Sequence, residues 1–200
     1  DGAGSRARLE TYVAALVKWQ RRINLIGPAT VADIWHRHIL DCGQLVSLIL
    51  AEPLRICDLG SGAGLPGLVL AALDIGVGEG GCLDLVESDS RKAAFLREAN
   101  RLMGTHARIE NRRIEEMAET GTGGYDIITA RALAPLPKLL EMSNNLLKTG
   151  GKLLFLKGKT GDAELTESEK AWKMRATKMP SASDSEGVIL LIKDLERRHG

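Results

Sequence analysis

The sequence predicts an α/β fold with a mostly parallel, twisted sheet and helices on both of its faces. Four apolar runs of strand length alternate with helical patterns, and this alternation is typical of a parallel sheet covered on two sides. A glycine-rich turn follows the first run, at the place where such sheets bind ligands. The four runs span residues 54–59, 82–87, 125–130 and 152–156.

The first quarter of the chain predicts a helical subdomain, residues 1–52, ahead of an α/β core, residues 53–200. Apolar residues from position 9 to 23 recur at helical spacing, and a second apolar pattern over 39–49 stops before Pro53. The face of the first helix opposite the apolar one is basic. It carries Lys18, Arg21 and Arg22.

The rest of the chain supplies the covering helices and the far side of the sheet. Helices are predicted over residues 95–103, closed by Gly104, and over 136–147. Either Ser88 or Ser90 is expected to cap the first of these helices.

The C-terminal part predicts a hairpin. The apolar run 188–192 follows a segment rich in glycine, serine and aspartate, and we expect it to pair with a strand near residues 175–179. This hairpin would place an antiparallel strand at the C-terminal edge of the sheet. The polar stretch 157–170 is assigned no element.

Composition limits the function classes. The 200 residues carry 27 Lys and Arg against 26 Asp and Glu, a net charge of +1, so any nucleic-acid site must be local. The longest uncharged stretch near the centre, residues 59–73, is broken by Gly, Ser and Pro, so no membrane span is expected. The cysteine pattern, described next, favours a cytoplasmic protein.

The cysteines and histidines indicate neither a disulfide framework nor a metal centre. Cys42, Cys57 and Cys82 are 15 and 25 residues apart and form no C-x-x-C pair. We expect buried thiols in a reducing compartment. His36 and His38 show no metal-ligand pattern with these cysteines, so no metal is predicted.

The turn over residues 58–67, Asp-Leu-Gly-Ser-Gly-Ala-Gly-Leu-Pro-Gly, is the strongest functional signal. Gly60, Gly62 and Gly64 leave room for a ligand against bare backbone. Residues 62, 64 and 67 also satisfy G-x-G-x-x-G, so the pattern alone leaves a dinucleotide possible. The Asp58 carboxylate would repel a pyrophosphate and attract a cationic amino-acid ligand, which favours S-adenosylmethionine.

Two further positions fit a nucleoside. Glu87 ends the second run, 20 residues after Gly67, where a carboxylate can accept hydrogen bonds from both ribose hydroxyls. Both candidate cofactors carry a ribose, so Glu87 does not choose between them. Ile114 and Glu115 lie past the predicted third strand, 107–110, where an apolar side chain beside an acid can hold an adenine ring.

These residues resemble one known family along nearly the whole chain. The matching segments, in order, are Asn24-Leu25, residues 37–41, residues 58–67, Glu87-Ser88, residues 113–116, residues 130–132 and residues 156–158. They are similar to the RsmG (GidB) family of bacterial 16S ribosomal RNA guanine-N7 methyltransferases. The glycine turn with its Leu-Pro-Gly ending is more specific than a generic glycine motif.

The resemblance implies a class I, Rossmann-like methyltransferase fold and S-adenosylmethionine as cofactor. Carried over position by position, it implies cofactor contacts at Gly60, Leu65, Ile114, Glu115 and Arg131, with Glu87 on the ribose. Arg131 directly follows the third apolar run and is expected to act near the cofactor or the target base, which makes it the candidate catalytic residue.

A local basic excess points to the RNA partner. Residues 1–40 hold six Lys or Arg against three Asp or Glu. The resemblance implies that the RNA is 16S ribosomal RNA, in the small ribosomal subunit or an assembly precursor, and we expect a monomer to bind it. The candidate RNA contacts are Asn24, Arg37, His38, Lys157 and Lys159.

The expected chemistry needs no general base, because guanine N7 has a free lone pair and no proton. The position after the fourth strand, residues 131–135, lacks the Asn/Asp-Pro-Pro-aromatic loop of exocyclic amine methylation, and no cysteine follows a proline as in pyrimidine C5 methylation. Ribose 2′-O methylation stays open. So do an NAD-dependent oxidoreductase, although no Tyr-x-x-x-Lys pair is present, and a non-catalytic nucleotide-binding module.

Overall fold

A computed structural model of the protein describes residues 2–49, 53–75 and 80–198, leaving aside the Ala118 side chain. These residues form a seven-stranded sheet in the order β3-β2-β1-β4-β5-β7-β6. The strands are β1 (Arg55–Leu59), β2 (Cys82–Val86), β3 (Arg108–Glu110), β4 (Tyr125–Arg131), β5 (Leu147–Lys157), β6 (Trp172–Pro180) and β7 (Val188–Arg197). The α-helices are α1 (Gly2–Gln20), α2 (Asp41–Gly43), α3 (Gly67–Ala72), α4 (Ser90–Met103), α5 (Ile114–Glu119), α6 (Leu136–Asn144) and α7 (Gly161–Ala171).

The predicted α/β fold is confirmed. Strands β1 to β5 pair in parallel, with Ile56 of β1 between Leu83 of β2 and Ile127 of β4. The β1, β2 and β4 strands are buried along nearly their whole length, as expected for strands covered by helices on both faces. Their carboxyl ends meet at one edge, where the glycine turn lies.

The antiparallel hairpin is also confirmed, but its strand order corrects the expectation. The C-terminal strand β7 lies between β5 and β6, antiparallel to both, so β6 forms the edge of the sheet. The reason is burial, because Ile189, Leu190 and Ile192 of β7 are inaccessible or nearly so. Strand β6 is mostly exposed, which suits an edge.

Three local expectations were wrong. The helix expected to continue to residue 147 ends at Asn144, because Leu147 pairs with Tyr125 as the start of β5. Helix α7 occupies the polar stretch that was assigned no element. The cap of α4 is Asp89, whose carboxylate accepts hydrogen bonds from the backbone N–H groups of Arg91 and Lys92, and neither Ser88 nor Ser90 takes that role.

The N-terminal segment packs directly onto the sheet's covering helices. Helix α1 shares one apolar core with α3 and α4, in which Tyr12 and Leu16 are fully buried and Trp19 meets Phe95 edge to face. After α1 the chain forms short turns: 3₁₀ over Pro28–Asp33, π over Trp35–Leu40, α2, and 3₁₀ over Gln44–Leu48. The predicted domain boundary at 52/53 adjoins positions 50–52, which lie outside the described residues, so it stays a prediction.

The opposite face of the sheet is covered by α5, α6 and α7. Its core joins Ile128 and Phe155 of the sheet to Leu136 and Leu140 of α6. Within the described ranges, no helix combines the length and the apolar character that a membrane span requires.

Helix α1 also reaches the glycine turn. The buried Tyr12 hydroxyl donates a hydrogen bond of 2.7 Å to the Ala63 carbonyl oxygen, and burial raises the pKa of the phenol, so it stays protonated. Tyr12→Phe would leave that carbonyl without its donor. We expect this substitution to lower the free energy of unfolding by about 1–3 kcal/mol, measured by urea denaturation.

Thr11→Ala is the matched control, since it removes an exposed hydrogen bond to Ala7 in the same helix. Its expected change is within about 0.5 kcal/mol. Equal losses in the two variants would contradict a specific contribution of Tyr12 to the turn.

Candidate ligand site at the carboxyl ends of the parallel strands

The turn after β1 is built from glycines in conformations that other residues rarely adopt. Gly60, Gly62 and Gly64 have φ values of 61°, 53° and 86°. A Cβ atom on Gly60 would lie 2.4 Å from Leu133 Cδ1, and one on Gly64 would lie 2.5 Å from Leu68 Cδ1. A Cβ on Gly62 would meet only the Gly60 carbonyl oxygen, at 3.7 Å, so this backbone is open to a ligand.

Asp58 supports the turn from below. Its carboxylate is fully buried and accepts hydrogen bonds from the Gly67 backbone N–H, at 3.1 Å, and from the Thr129 hydroxyl, at 2.8 Å. Burial raises the pKa of Asp58 from 3.8 to about 6, although these two bonds act in the opposite direction. The carboxylate does not line the cavity, so a direct contact between Asp58 and a ligand, as the sequence predicted, gives way to a supporting role.

Glu87 holds the turn from the side and also faces the cavity. One carboxylate oxygen accepts from the Gly62 N–H at 2.9 Å, and the other accepts from the Asp89 N–H at 2.7 Å. A carboxylate has about four lone-pair sites, so capacity for further donors remains. Asn111 fixes the strand end by donating to the Glu87 carbonyl oxygen at 2.8 Å.

A cavity of about 550 Å³ opens above the turn, within the range of small-molecule sites. Its walls include seven predicted residues: Gly60, Gly62, Leu65, Glu87, Ile114, Glu115 and Arg131. His38 also lines it, although it was predicted to contact RNA. Gly64 does not line it, because it packs against Leu68 beneath the turn. Leu133 and Arg113 also line the cavity. Neither was predicted as a site residue, although Arg113 lies in the segment 113–116 that carries the resemblance.

Arg131 joins β4 to the N-terminal segment. Its guanidinium pairs with the Asp41 carboxylate at 3.2 Å and donates to the Arg37 carbonyl oxygen at 3.0 Å. Nη2 also lies 2.9 Å from His38 Nδ1, and Nη1 lies 3.7 Å from Cys42 Sγ. Most of its donors are therefore occupied by protein groups.

These contacts define the state of His38. Because Arg131 can only donate, His38 Nδ1 accepts, and the ring proton is on Nε2, 2.7 Å from the Thr30 hydroxyl oxygen. The Thr30 hydroxyl in turn donates to the Gly27 carbonyl oxygen. Burial and the neighbouring Arg131 lower the pKa of His38 from 6.5 to about 4, so the ring is neutral at physiological pH.

Sequence reasoning also missed the polar cluster around Asp41. Its Oδ1 atom accepts hydrogen bonds from the Ser181 hydroxyl at 3.0 Å and the Ser183 hydroxyl at 2.7 Å. These serines lie in the β6–β7 loop, about 140 residues after Asp41 in the sequence. The sequence offers no signal for such a long-range contact.

The other predicted RNA contacts lie in different surroundings. Lys157 is not a free cation, because its ammonium pairs with Glu164 at 2.7 Å and its side chain is only 9% exposed. The partner comes from helix α7, which the sequence did not predict, and a contact between Lys157 and RNA stays a prediction. Lys159 and Asn24 are exposed, and Arg37 pairs with Asp184 at 3.3 Å.

The cysteines match their expected role as small buried groups in part. Cys42 and Cys57 are buried free thiols, while Cys82 is partly exposed. Burial raises the pKa of Cys42 to about 12, which keeps it protonated and unreactive.

Comparisons with known proteins now decide between the alternatives. The family model described as rRNA small subunit methyltransferase G (GidB) matches residues 5–189. The chain belongs to this family. A Ribosomal RNA small subunit methyltransferase G of Paramagnetospirillum magneticum is 50% identical over 192 residues, covering 95% of this chain and 89% of the relative. A protein of the same description from Rhodospirillum rubrum is 46% identical over 190 residues, covering 95% and 90%.

Solved structures agree on the fold of this family member. A ribosomal protein L11 methylase from Lactobacillus delbrueckii subsp. bulgaricus superposes with a TM-score of 0.58 at 18% identity, covering 79% of this chain and 77% of that one. A SAM-dependent O-methyltransferase from Thermotoga maritima gives 0.59 at 16% identity, covering 92% and 71%. The chain is a Rossmann-like methyltransferase, and membership in a methyltransferase family decides against the oxidoreductase and non-catalytic alternatives.

The buried carboxyl group of Asp58 generates a pH prediction. Its folded-state pKa is raised, so between pH 4 and 6 the folded protein holds a proton that the unfolded chain has released. As the pH rises from 4 to 6, the free energy of unfolding of the parent should therefore fall relative to that of Asp58→Asn. The expected fall is about 3 kcal/mol, which corresponds to about two pKa units. Urea unfolding of both proteins at several pH values measures the difference.

Thr129→Val provides the second arm of this test. It removes a hydrogen bond that favours the carboxylate and so raises the folded-state pKa further, which should extend the upper end of the window in which stability falls to higher pH. A stability difference between parent and Asp58→Asn that does not vary with pH would contradict the assignment.

Proposed function

We propose that this protein transfers a methyl group from S-adenosylmethionine to N7 of one guanine in 16S ribosomal RNA. The observation that carries the proposal is the bare Gly62 backbone beside Glu87 within one cavity, in a chain of the rRNA small subunit methyltransferase G family. The location in the cytoplasm, the monomeric state and the small subunit or its precursor as substrate are parts of the same proposal.

The cavity fits the cofactor in three respects. The open side of Gly62 allows close approach to the main chain. Glu87 has acceptor capacity for the two ribose hydroxyls. Leu65 and the buried Ile114 give apolar surfaces for an adenine ring, and Glu115 follows Ile114 with an exposed carboxylate that can accept from an amino group.

Electrostatics favour a cationic ligand there. The Asp58 carboxylate beneath the turn and Glu87 beside it supply negative charge on two sides of the glycines. With a pKa of about 6, Asp58 is largely ionised at neutral pH. A pyrophosphate would be repelled by both groups.

When bound, S-adenosylmethionine supplies an electrophilic methyl group, which guanine N7 takes in an in-line displacement as the carbon–sulfur electron pair leaves with sulfur. The chain's own contribution is alignment, and fixed groups provide it. Gly60 to Leu65 form a rigid turn because Asp58, Glu87 and Tyr12 each bond to that turn or to the first residue of α3.

Arg131 acts as a positioning residue in this proposal. Guanine N7 must keep its lone pair free for the methyl carbon, so an arginine fork on the O6 and N7 atoms would block the reaction. Arg131 instead holds His38 and Asp41 against the end of β4. In place of the expected catalytic role, Arg131 thus fixes the position of the residues that line the cavity at the end of β4.

Several exposed basic side chains lie near the cavity and can bind RNA phosphates. Arg113 lines the cavity and is exposed, and Arg21 and Arg22 are exposed beside Asn24 in an adjoining groove with Lys92. The exposed Arg37 and Lys159 remain candidates for contact with the RNA. Each phosphate contact would steepen the salt dependence of RNA binding.

Mapping the methyl group tests the function. Undermethylated small subunits incubated with the protein and labelled S-adenosylmethionine should gain label at a single guanine, and borohydride/aniline treatment should cleave the RNA at that site. Subunits incubated with labelled S-adenosylmethionine but without this protein are the control. Label confined to ribose or to exocyclic nitrogen would refute the N7 assignment.

A further inference from the structure

A second, smaller cavity adjoins the cofactor cavity. It measures about 200 Å³, and Arg131 and Ala132 line both spaces. This space is large enough for a single bicyclic base. Its other walls come from the end of β5 and from the β6–β7 loop, including Gly158 and Asp184.

The shared wall has an unusual backbone. Ala132 has a φ of 52°, in the left-handed region that alanine rarely adopts. Such a conformation is costly, by about 1–3 kcal/mol, and is characteristic of functional sites. Arg131 and Ala132 follow directly from the end of β4, so the small cavity lies at the same edge of the sheet as the glycine turn.

The proposed reaction dictates how a guanine must be oriented there. N7 has to face the cofactor cavity without accepting a hydrogen bond, so the protein must recognise the base elsewhere. The opposite, Watson–Crick edge carries two donors, N1–H and the N2 amino group. A carboxylate is the matching acceptor, because it can accept two parallel N–H bonds.

Asp184 presents such a carboxylate. It lines the small cavity, and 36% of its side chain is exposed. Oδ1 accepts the Glu186 backbone N–H at 3.0 Å, and Oδ2 lies 3.3 Å from Arg37 Nη2. Each oxygen therefore keeps a lone pair for a ligand, while the Glu186 N–H holds the side chain in place.

The other carboxylate in the cavity wall is already occupied. Asp41 is buried and accepts from Ser181 and Ser183 while it pairs with Arg131. Lys157 is paired with Glu164. Asp184 is thus the acidic group of this wall with capacity for a new partner.

A carboxylate at this edge of the base would also favour the reaction, because the purine gains a positive charge. Methylation at N7 moves the positive charge from sulfur to the purine, which makes the N1 proton more acidic. A carboxylate that accepts from N1–H is attracted more strongly to the charged product than to the neutral base. No proton needs to leave, so the step balances without a further reactant.

We propose that the small cavity binds the target guanine and that the Asp184 carboxylate recognises its N1–H and N2 amino groups. This assignment rests on the proposed function and names the specificity-determining residue of that site. It adds the β6–β7 loop to the substrate machinery.

Inosine, which lacks the N2 amino group, tests the assignment. Small subunits are reconstituted with RNA in which the mapped guanosine is kept or replaced by inosine. The parent should prefer guanosine by about 10-fold or more in kcat/KM, as expected for loss of one hydrogen bond to a charged group. Asp184→Asn keeps the oxygen that accepts Glu186 N–H but sets an amide N–H against the base donors, so the preference should fall toward one.

Arg37→Ala is the matched control, because it removes the ion-pair partner of Asp184 and keeps the carboxylate. Its guanosine-to-inosine ratio should equal that of the parent, even where RNA affinity falls. Circular dichroism and binding of S-adenosylhomocysteine verify that Asp184→Asn is folded.

Two outcomes would overturn the assignment alone: a parent-like preference in Asp184→Asn, or the same loss of preference in Arg37→Ala. If the parent places no methyl group at guanine N7, the proposed function fails, and this assignment fails with it. The two failures are therefore distinguishable.

Discussion

Two acidic side chains hold the glycine turn in the shape on which the site depends. Asp58 and Glu87 come from the ends of neighbouring parallel strands, and each accepts a hydrogen bond from backbone N–H at or just after the turn, Gly67 and Gly62 respectively. Glycine residues sample many backbone conformations in the unfolded chain. Hydrogen bonds such as these are therefore needed to select the one conformation that forms the turn. They also leave negative charge beside the space that they keep open.

The N-terminal segment completes the site instead of merely preceding it. Tyr12 bonds to the turn from α1, and the π turn and α2 supply His38 and Asp41 to Arg131. The neutral His38 ring links Arg131 to Thr30, so the segment from Gly27 to Asp41 and the end of β4 form one hydrogen-bonded unit. The large cavity and the small cavity share the Arg131 wall, and this unit fixes that wall.

Sequence reasoning predicted what local pattern controls. The apolar runs predicted the parallel strands. The spacing of the glycines predicted the turn, with Glu87 opposite it. It could not predict where Asp58 points, because strands buried on both faces show no alternation to separate the inward from the outward side. It could not predict the ion pair of Lys157 because the partner, Glu164, lies on a helix without a clear apolar stripe. It missed the Asp41 cluster and Asp184 because their contacts join distant parts of the chain.

The central claim is that the turn after β1 binds an adenosyl sulfur compound through open main chain and the Glu87 carboxylate. Calorimetric titration of the protein with S-adenosylhomocysteine and, separately, with NAD tests it most directly. We expect saturable binding of S-adenosylhomocysteine at one site per chain and no measurable binding of NAD. Binding of NAD in preference, or no heat with S-adenosylhomocysteine, would contradict the account.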